Sequence, residues 1–298
     1  MRGALTVILT CALLTPAAST MAKPAPDQLM DAPVLRETSR YTFSTLELDS
    51  RDGARHYRIW IGQPPTVTAA NPIAYLLDGN AAMAALDTGQ LNRLARSPSP
   101  PVLVALGYAT PLRIERTART FDYTPKRGVG SDERDSLTNA PSGGADVFLD
   151  LLTQTIKPLI NQRLKVQPRR QLLWGHSYGG LLALHALMTR TDAFQVYAAA
   201  SPSLWWSEGW MDAELAAMAQ HLDGRRATLL LMRGELEPAS PRPVVKETAG
   251  GDAAAQRLLT ALHRVDRLDT QYQSFPGLNH GPMLQASLSY TLEYLSQH

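Results

Sequence analysis

One cysteine, Cys11, is the whole thiol inventory of the 298 residues, and it lies inside an apolar run at the N-terminus. If that run is removed, the remaining chain can form no disulfide and use no cysteine nucleophile, so its core must hold it together. A lipid-modified cysteine is also a poor fit, because Thr10 stands where such signals place a small residue. Charge of one sign is missing too: 29 Lys and Arg against 27 Asp and Glu give +2, which lends no support to nucleic acid as a partner. No histidine is spaced with another His, Asp or Glu as a metal site requires, and no phosphate-binding or dinucleotide fingerprint occurs. No cofactor or metal is therefore expected. Internal repeats and low-complexity tracts are lacking as well.

What is present begins with the leader. "MRGALTVILTCALLTPAASTMAKPAPD" has Arg2, then an apolar stretch from Ala4 to Leu14, then small residues around Ala17–Ser19 and at Ala22. That is the layout of a secretory signal peptide, and the stretch is too short for a bilayer span of roughly 20 residues. The expected division is a signal peptide over 1–22, a flexible leader over 23–40 and one domain over 41–298. No stable membrane insertion is expected after signal removal, and the product is expected to be exported.

Beyond the leader, "YTFSTLEL" and "HYRIWIG" flank a turn-rich "DSRDG" and read as an antiparallel hairpin. "PIAYLLDGN", "PVLVALGY", "RQLLWG", "VYAAASP" and "ATLLLMRG" are short continuous apolar runs, as in strands buried on both faces of a parallel sheet. Helical patterns over Ala145–Leu164, Gly180–Met188, Trp210–Leu222, Gly251–Val265 and Met283–Ser296 lie between or after them. This alternation predicts a mostly parallel central sheet with helices on both faces. The stretch Pro111–Gly144 breaks the rhythm, and irregular stretches of that length are commonly functional.

Gly175-His176-Ser177-Tyr178-Gly179 matches G-x-S-x-G. Set between a strand and a helix, it places the serine on a sharp, strained turn with Oγ exposed above the sheet. Ser177 is accordingly the candidate nucleophile, and a serine needs a base. Of seven histidines, His280 in "PGLNHGPM" lies in a Gly- and Pro-rich loop between the strand pattern "TQYQSF" and the last helix, where an α/β-hydrolase places its base. His176 cannot swing onto the neighbouring Oγ, and His185 is expected to pack. The acid should follow a strand between Ser177 and His280. "LLLMRGELEP" offers Glu237, with Glu235 as the alternative. The oxyanion hole needs two N–H groups, expected from Tyr178 and from Asn80 after "YLLDGN", while Asp78 is expected to hold that loop by hydrogen bonds.

The chain resembles the esterase-D-like branch of the α/β-hydrolases, and within it the periplasmic esterases that open the trilactone of enterobactin- and salmochelin-type catecholate siderophores. The resemblance is carried in order by "YLLDGNAAMAAL", "RTFDYTP", "GGADVFLDLLTQTIKPLI", "GHSYGGLLALHAL", "SPSLWW", "GELEP" and "NHGPM", roughly from Tyr57 to Leu295. It implies an α/β-hydrolase fold, Ser177 and His280 as the core pair, and a small-molecule ester substrate, either the apo or the ferric siderophore. Such a substrate is anionic and aromatic, which directs attention to Arg116 and Arg119, spaced with Arg113 at every third residue, and to Trp205 and Trp206. A solvated charged face and ordinary core packing are the competing readings for these residues. Rival functions are a general carboxylesterase for feruloyl, acyl or thioester substrates and a siderophore-binding hydrolase homologue without turnover.

Overall fold

The computed structural model describes residues 27–128, 133–206, 225–238 and 253–298, together with Glu214, Leu215 and Met218. Among the described residues eight strands form one sheet in the order β1-β2-β4-β3-β5-β6-β7-β8. β1 (Thr42–Asp49) and β2 (His56–Gln63) form the antiparallel hairpin, and β2 joins β4 (Val102–Tyr108) antiparallel. From there β3 (Ile73–Leu76), β5 (Gln171–His176), β6 (Val196–Ala200), β7 (Ala227–Gly234) and β8 (Leu268–Phe275) are all parallel.

The continuous apolar runs have a direct cause. In β3, Ile73 and Tyr75 enter one buried cluster while Ala74 and Leu76 enter another. In β4, Val102, Val104 and Leu106 face the first cluster, and Leu103 and Ala105 face the second. Alternate side chains of a strand point to opposite faces, so a strand covered on both sides must be apolar throughout. α1 (Gly79–Ala85), α2 (Thr88–Leu94) and α8 (His280–Gln297) lie on the second face. α4 (Ala145–Asp150), α6 (Tyr178–Thr189) and α7 (Ala253–Leu262) supply the first. α5 (Lys157–Leu164) continues α4 through a π-helical segment, Leu151–Ile156, so the pattern over Ala145–Leu164 is one helical run.

The outcome departs from expectation in four places. The end of "YLLDGN" is not strand: β3 stops at Leu76, and Gly79 begins α1. The irregular stretch holds a helix, α3 (Arg116–Tyr123), whose first turn is capped by the Glu115 carboxylate accepting from Ala118 N–H. The last helix starts at His280 rather than Met283. The segment expected as a flexible leader is docked where it is described: Met30 N–H donates to Pro111 O, Arg113 N–H donates to Gln28 O, and Val34 is buried. The signal peptide lies outside the described residues, as does nearly all of Trp210–Leu222, of which Glu214, Leu215 and Met218 are helical. No helix among the described residues is long and apolar enough to cross a membrane.

Candidate active site

The carboxyl ends of the parallel strands collect the site. β5 ends at His176, and Ser177 turns the chain into α6 with φ 62° and ψ −117°. A non-glycine residue is strained there, and the turn holds it because both flanks are fixed by the sheet and the helix. Ser177 N–H donates to Ala200 O on β6, and Leu181 N–H closes the first turn of α6 on Ser177 O. A Cβ on Gly175 would come within 2.3 Å of the Gly179 backbone, so the elbow closes only with glycine at that position. Ser177 Oγ lies 3.5 Å from Ser203 Oγ.

Two strands away, Glu237 follows β7 and His280 opens α8. His280 Nδ1 lies 3.0 Å from Glu237 Oε2. The other carboxylate oxygen, Oε1, accepts from Ser201 Oγ at 2.5 Å and from Gly234 N–H at 2.9 Å. Glu237 is 8% exposed. Burial pushes its carboxyl up, but the hydrogen bonds from His280, Ser201 and Gly234 outweigh this and hold it below the usual carboxylate range. An ionised Glu237 fixes the Nδ1–H tautomer of His280 and leaves Nε2 as the proton acceptor. The side chain of His280 is 48% exposed, open to an incoming ester. Glu235, by contrast, is exposed, and among the described residues its carboxylate reaches Ser274 Oγ at 3.5 Å. The geometry therefore separates the two glutamates.

Among the other described histidines, all but His176 lie away from the Ser177–His280 pair. His185 is buried in α6 between Glu214 and Asp146; burial opposes its charge, yet the two carboxylates push it up to about 9. His56 pairs with Asp49 at 2.6 Å on the hairpin, His263 is exposed, and His298 ends the chain. His221 lies outside the described residues. Among the described residues no group of three His, Cys, Asp or Glu side chains is placed to hold a metal.

On the opposite wall, Asn80 is in the first turn of α1. Its side chain is consumed by the loop that follows β4: Oδ1 accepts from Tyr108 N–H, and Nδ2 donates to the carbonyls of Tyr108, Thr110 and Leu112. The side chain is thus committed to that loop, so any role at the site falls to the Asn80 backbone N–H. Tyr178 likewise offers its N–H from the first turn of α6, where helix donors lack intrahelical partners. Leu77 N–H donates to Trp174 O, which keeps the turn after β3 alongside the elbow.

The aromatic and cationic residues fall into different roles. Arg119 grips Asp78 in a bidentate pair, Nε–Oδ1 and Nη2–Oδ2 both at 2.7 Å, between the rings of Tyr123 and Tyr178. Its donors are directed at Asp78, the left-handed residue (φ 51°) that starts α1, so Arg119 holds the turn rather than reaching outward. Asp78 thus does hold the loop. Trp206 is 3% exposed and packs against Tyr178, so it is a wall of the core and not an open stacking platform. Trp205 is half-buried beside the same tyrosine. Arg116 sits on the exposed face of α3, and Arg113 is half-buried nearby.

Several site residues escaped the sequence reading. Ser201 and Ser203 belong to "SPSLWW", a motif read only for its tryptophans. Asp135, buried in the irregular stretch, accepts from Tyr178 Oη at 2.8 Å and from Leu137 and Thr138 N–H. Its Asx-type turn lies in "DSLT", an ordinary turn composition with no long-range signal.

A family model described as "Putative esterase" matches residues 54–295. The chain belongs to this esterase family. The esterase is 35% identical over 289 residues to the apo-salmochelin esterase of Escherichia coli O6:H1, covering 95% of this chain and 88% of that protein. It is 33% identical over 201 residues to the ferri-bacillibactin esterase BesA of Bacillus subtilis, covering 64% of this chain and 69% of that one. Its fold is similar to the solved enterobactin and salmochelin hydrolase IroE, with 34% identity, TM-score 0.70, and 88% and 98% of the two chains covered. The siderophore hydrolase EstB from Aspergillus nidulans superposes with TM-score 0.72 at 26% identity, over 87% of this chain and 96% of that one. IroE has also been solved in complex with DFP, which points to serine chemistry in that protein. The fold is thus that of an α/β-hydrolase, and the relatives it resembles are siderophore esterases, as its motifs imply.

Proposed function

We propose that the esterase hydrolyses the trilactone ester bonds of an enterobactin-type catecholate siderophore in the periplasm, through an acyl-enzyme on Ser177. The observation that carries the catalytic part is the Glu237–His280 pair at 3.0 Å, set on the same sheet edge as the strained Ser177 turn. Substrate class rests on the relatives, and location rests on the signal-peptide layout of residues 1–22.

In the first half-reaction Ser177 Oγ bonds to the ester carbonyl carbon while its proton passes to His280 Nε2. The N–H groups of Tyr178 and Asn80 receive the developing oxyanion. Collapse breaks the C–O bond, and the imidazolium returns the proton to the leaving serine alkoxide of the trilactone. Water then repeats the sequence, losing its proton to His280, releasing the carboxylate and restoring Ser177. Glu237 stays ionised throughout and holds the imidazole in place. The hydroxyl of Ser177 and the imidazole of His280 tighten onto each other when substrate is seated, as is common for such pairs. Arg113 and Arg116, with the half-buried face of Trp205, form the cationic and aromatic rim for the catecholates, and Arg119 supports that rim through Asp78.

Purified protein incubated with apo and ferric siderophore, followed by chromatography of the linear products, tests the substrate. Cleavage of at least one form is expected, and Ser177→Ala should abolish it. Intact turnover of a short nitrophenyl ester with no cleavage of either siderophore would make the protein a general carboxylesterase. Siderophore binding without any turnover would make it a binding protein.

A further inference from the structure

His280 has an anchoring problem. It is the first residue of α8, its neighbours from Pro276 to Gly281 are exposed or half-buried, and the N-cap residue Asn279 makes no side-chain hydrogen bond to the helix. An uncapped, exposed helix start frays, whereas a base must stay within tenths of an ångström of its working position. Glu237 fixes only Nδ1 of the ring.

The second anchor comes from beneath. His176, the last residue of β5, is buried and lies with its ring centroid 4.5 Å from that of His280 at an interplanar angle of 41°. Its Nε2 is 2.9 Å from the carbonyl oxygen of His280. A carbonyl accepts only, so Nε2 carries the hydrogen and donates it. Burial, followed by the proximity of His280 and Arg119, holds the His176 pKa well below the ordinary histidine value. The ring therefore stays neutral, and the imidazolium that forms on His280 meets no second charge on the tilted ring beside it.

We infer that His176, the variable position of the G-x-S-x-G turn, is a positioning residue for the base: its Nε2–H pins the His280 backbone, while its ring only lies beside the imidazole. The one strand end thus sets both the nucleophile, through Ser177, and the base, through His176. This inference rests on His280 being the base, as proposed above.

Two substitutions separate donor from ring. His176→Gln keeps an N–H near the place of Nε2 and removes the ring; His176→Phe keeps a ring and removes the donor. With a nitrophenyl ester as probe, His176→Phe should lose tenfold or more in kcat, because misplacing a catalytic group by about 1 Å costs on the order of 10²-fold. KM should stay within about twofold, and His176→Gln should recover most of the kcat. The Nδ1–H proton of His280, read by NMR at low field, should broaden or vanish in His176→Phe and persist in His176→Gln. If the phenylalanine variant does not fold, the glutamine variant alone decides: its kcat and its Nδ1–H signal must both stay near wild type. Wild-type kcat in His176→Phe, or a slow His176→Gln, would overturn the inference. A fully active Ser177→Ala would instead overturn the catalytic assignment itself.

Discussion

The two walls of the site are built by opposite means. On the wall proposed to be catalytic every group hangs from the end of a parallel strand: Ser177 after β5, Ser201 and Ser203 after β6, Glu237 after β7, His280 after β8. On the wall proposed to meet substrate, the stretch after β4 is held by side chains reaching far along the chain: Arg119 to Asp78, Tyr178 to Asp135, and Arg127 over the Trp206 ring at 4.8 Å. The first wall takes its geometry from backbone ladders, the second from ion pairs and hydroxyls. Damage to the first should therefore appear in kcat, and damage to the second in stability and KM.

The sharpest way to break this contrast is on the catalytic wall. Glu237→Gln should cut kcat by roughly 10³–10⁴-fold with the fold retained, by analogy with losses at the acid of a triad. Glu235→Gln should leave kcat unchanged. Steady-state kinetics on a short ester distinguishes them, and equal losses would return the two glutamates to parity.

On the substrate wall, Arg119→Leu leaves Asp78 buried without its cation. Breaking a buried pair this way costs about 3–5 kcal/mol, so a marked drop in denaturant midpoint is expected. Arg119→Lys should recover only part of it, because an ammonium cannot reproduce the bidentate fork. Tyr178→Phe removes one donor to the buried Asp135, for about 1–3 kcal/mol, and should raise KM for the siderophore more than for a small ester. An unchanged KM ratio would show that the stretch does not depend on this tie.

The smallest effect is in pH. The Glu237 carboxyl is held below its unfolded value, so its contribution to stability is complete above about pH 4.3 and is lost as pH falls through the lower folded value. Wild type should therefore lose stability more steeply than Glu237→Gln in that acid window, measured by denaturation at successive pH values. Parallel curves would mean that the carboxyl is not stabilised by its partners.

The same contrast explains what could be read from the sequence. Strand ends follow from apolar runs, so Ser177, His280 and the choice between Glu235 and Glu237 were accessible in chain order. Resolving the two glutamates required knowing that Ser201 and the Gly234 N–H converge on one carboxylate, which no local pattern carries. Arg119 looked like a substrate cation because its partner Asp78 lies 41 residues away. Trp206 looked like a platform because a tryptophan run after a strand gives no sign of which ring the core takes. The short α1 and α3 were hidden for a simpler reason: each is under three turns long, with glycine or charged residues where a longer helix would show its stripe.

The docked segment around Gln28–Met30 carries a consequence for the life of the protein. It bonds to Pro111 and Arg113, the point where the substrate wall leaves β4, yet Leu29 itself is 63% exposed. This segment is thus tied to the loop that follows β4, while its exposed side chain is open to a protease. Clipping there would leave the sheet and the serine untouched. Removal of this segment is therefore expected to loosen the loop after β4 before it disturbs the Ser177 elbow.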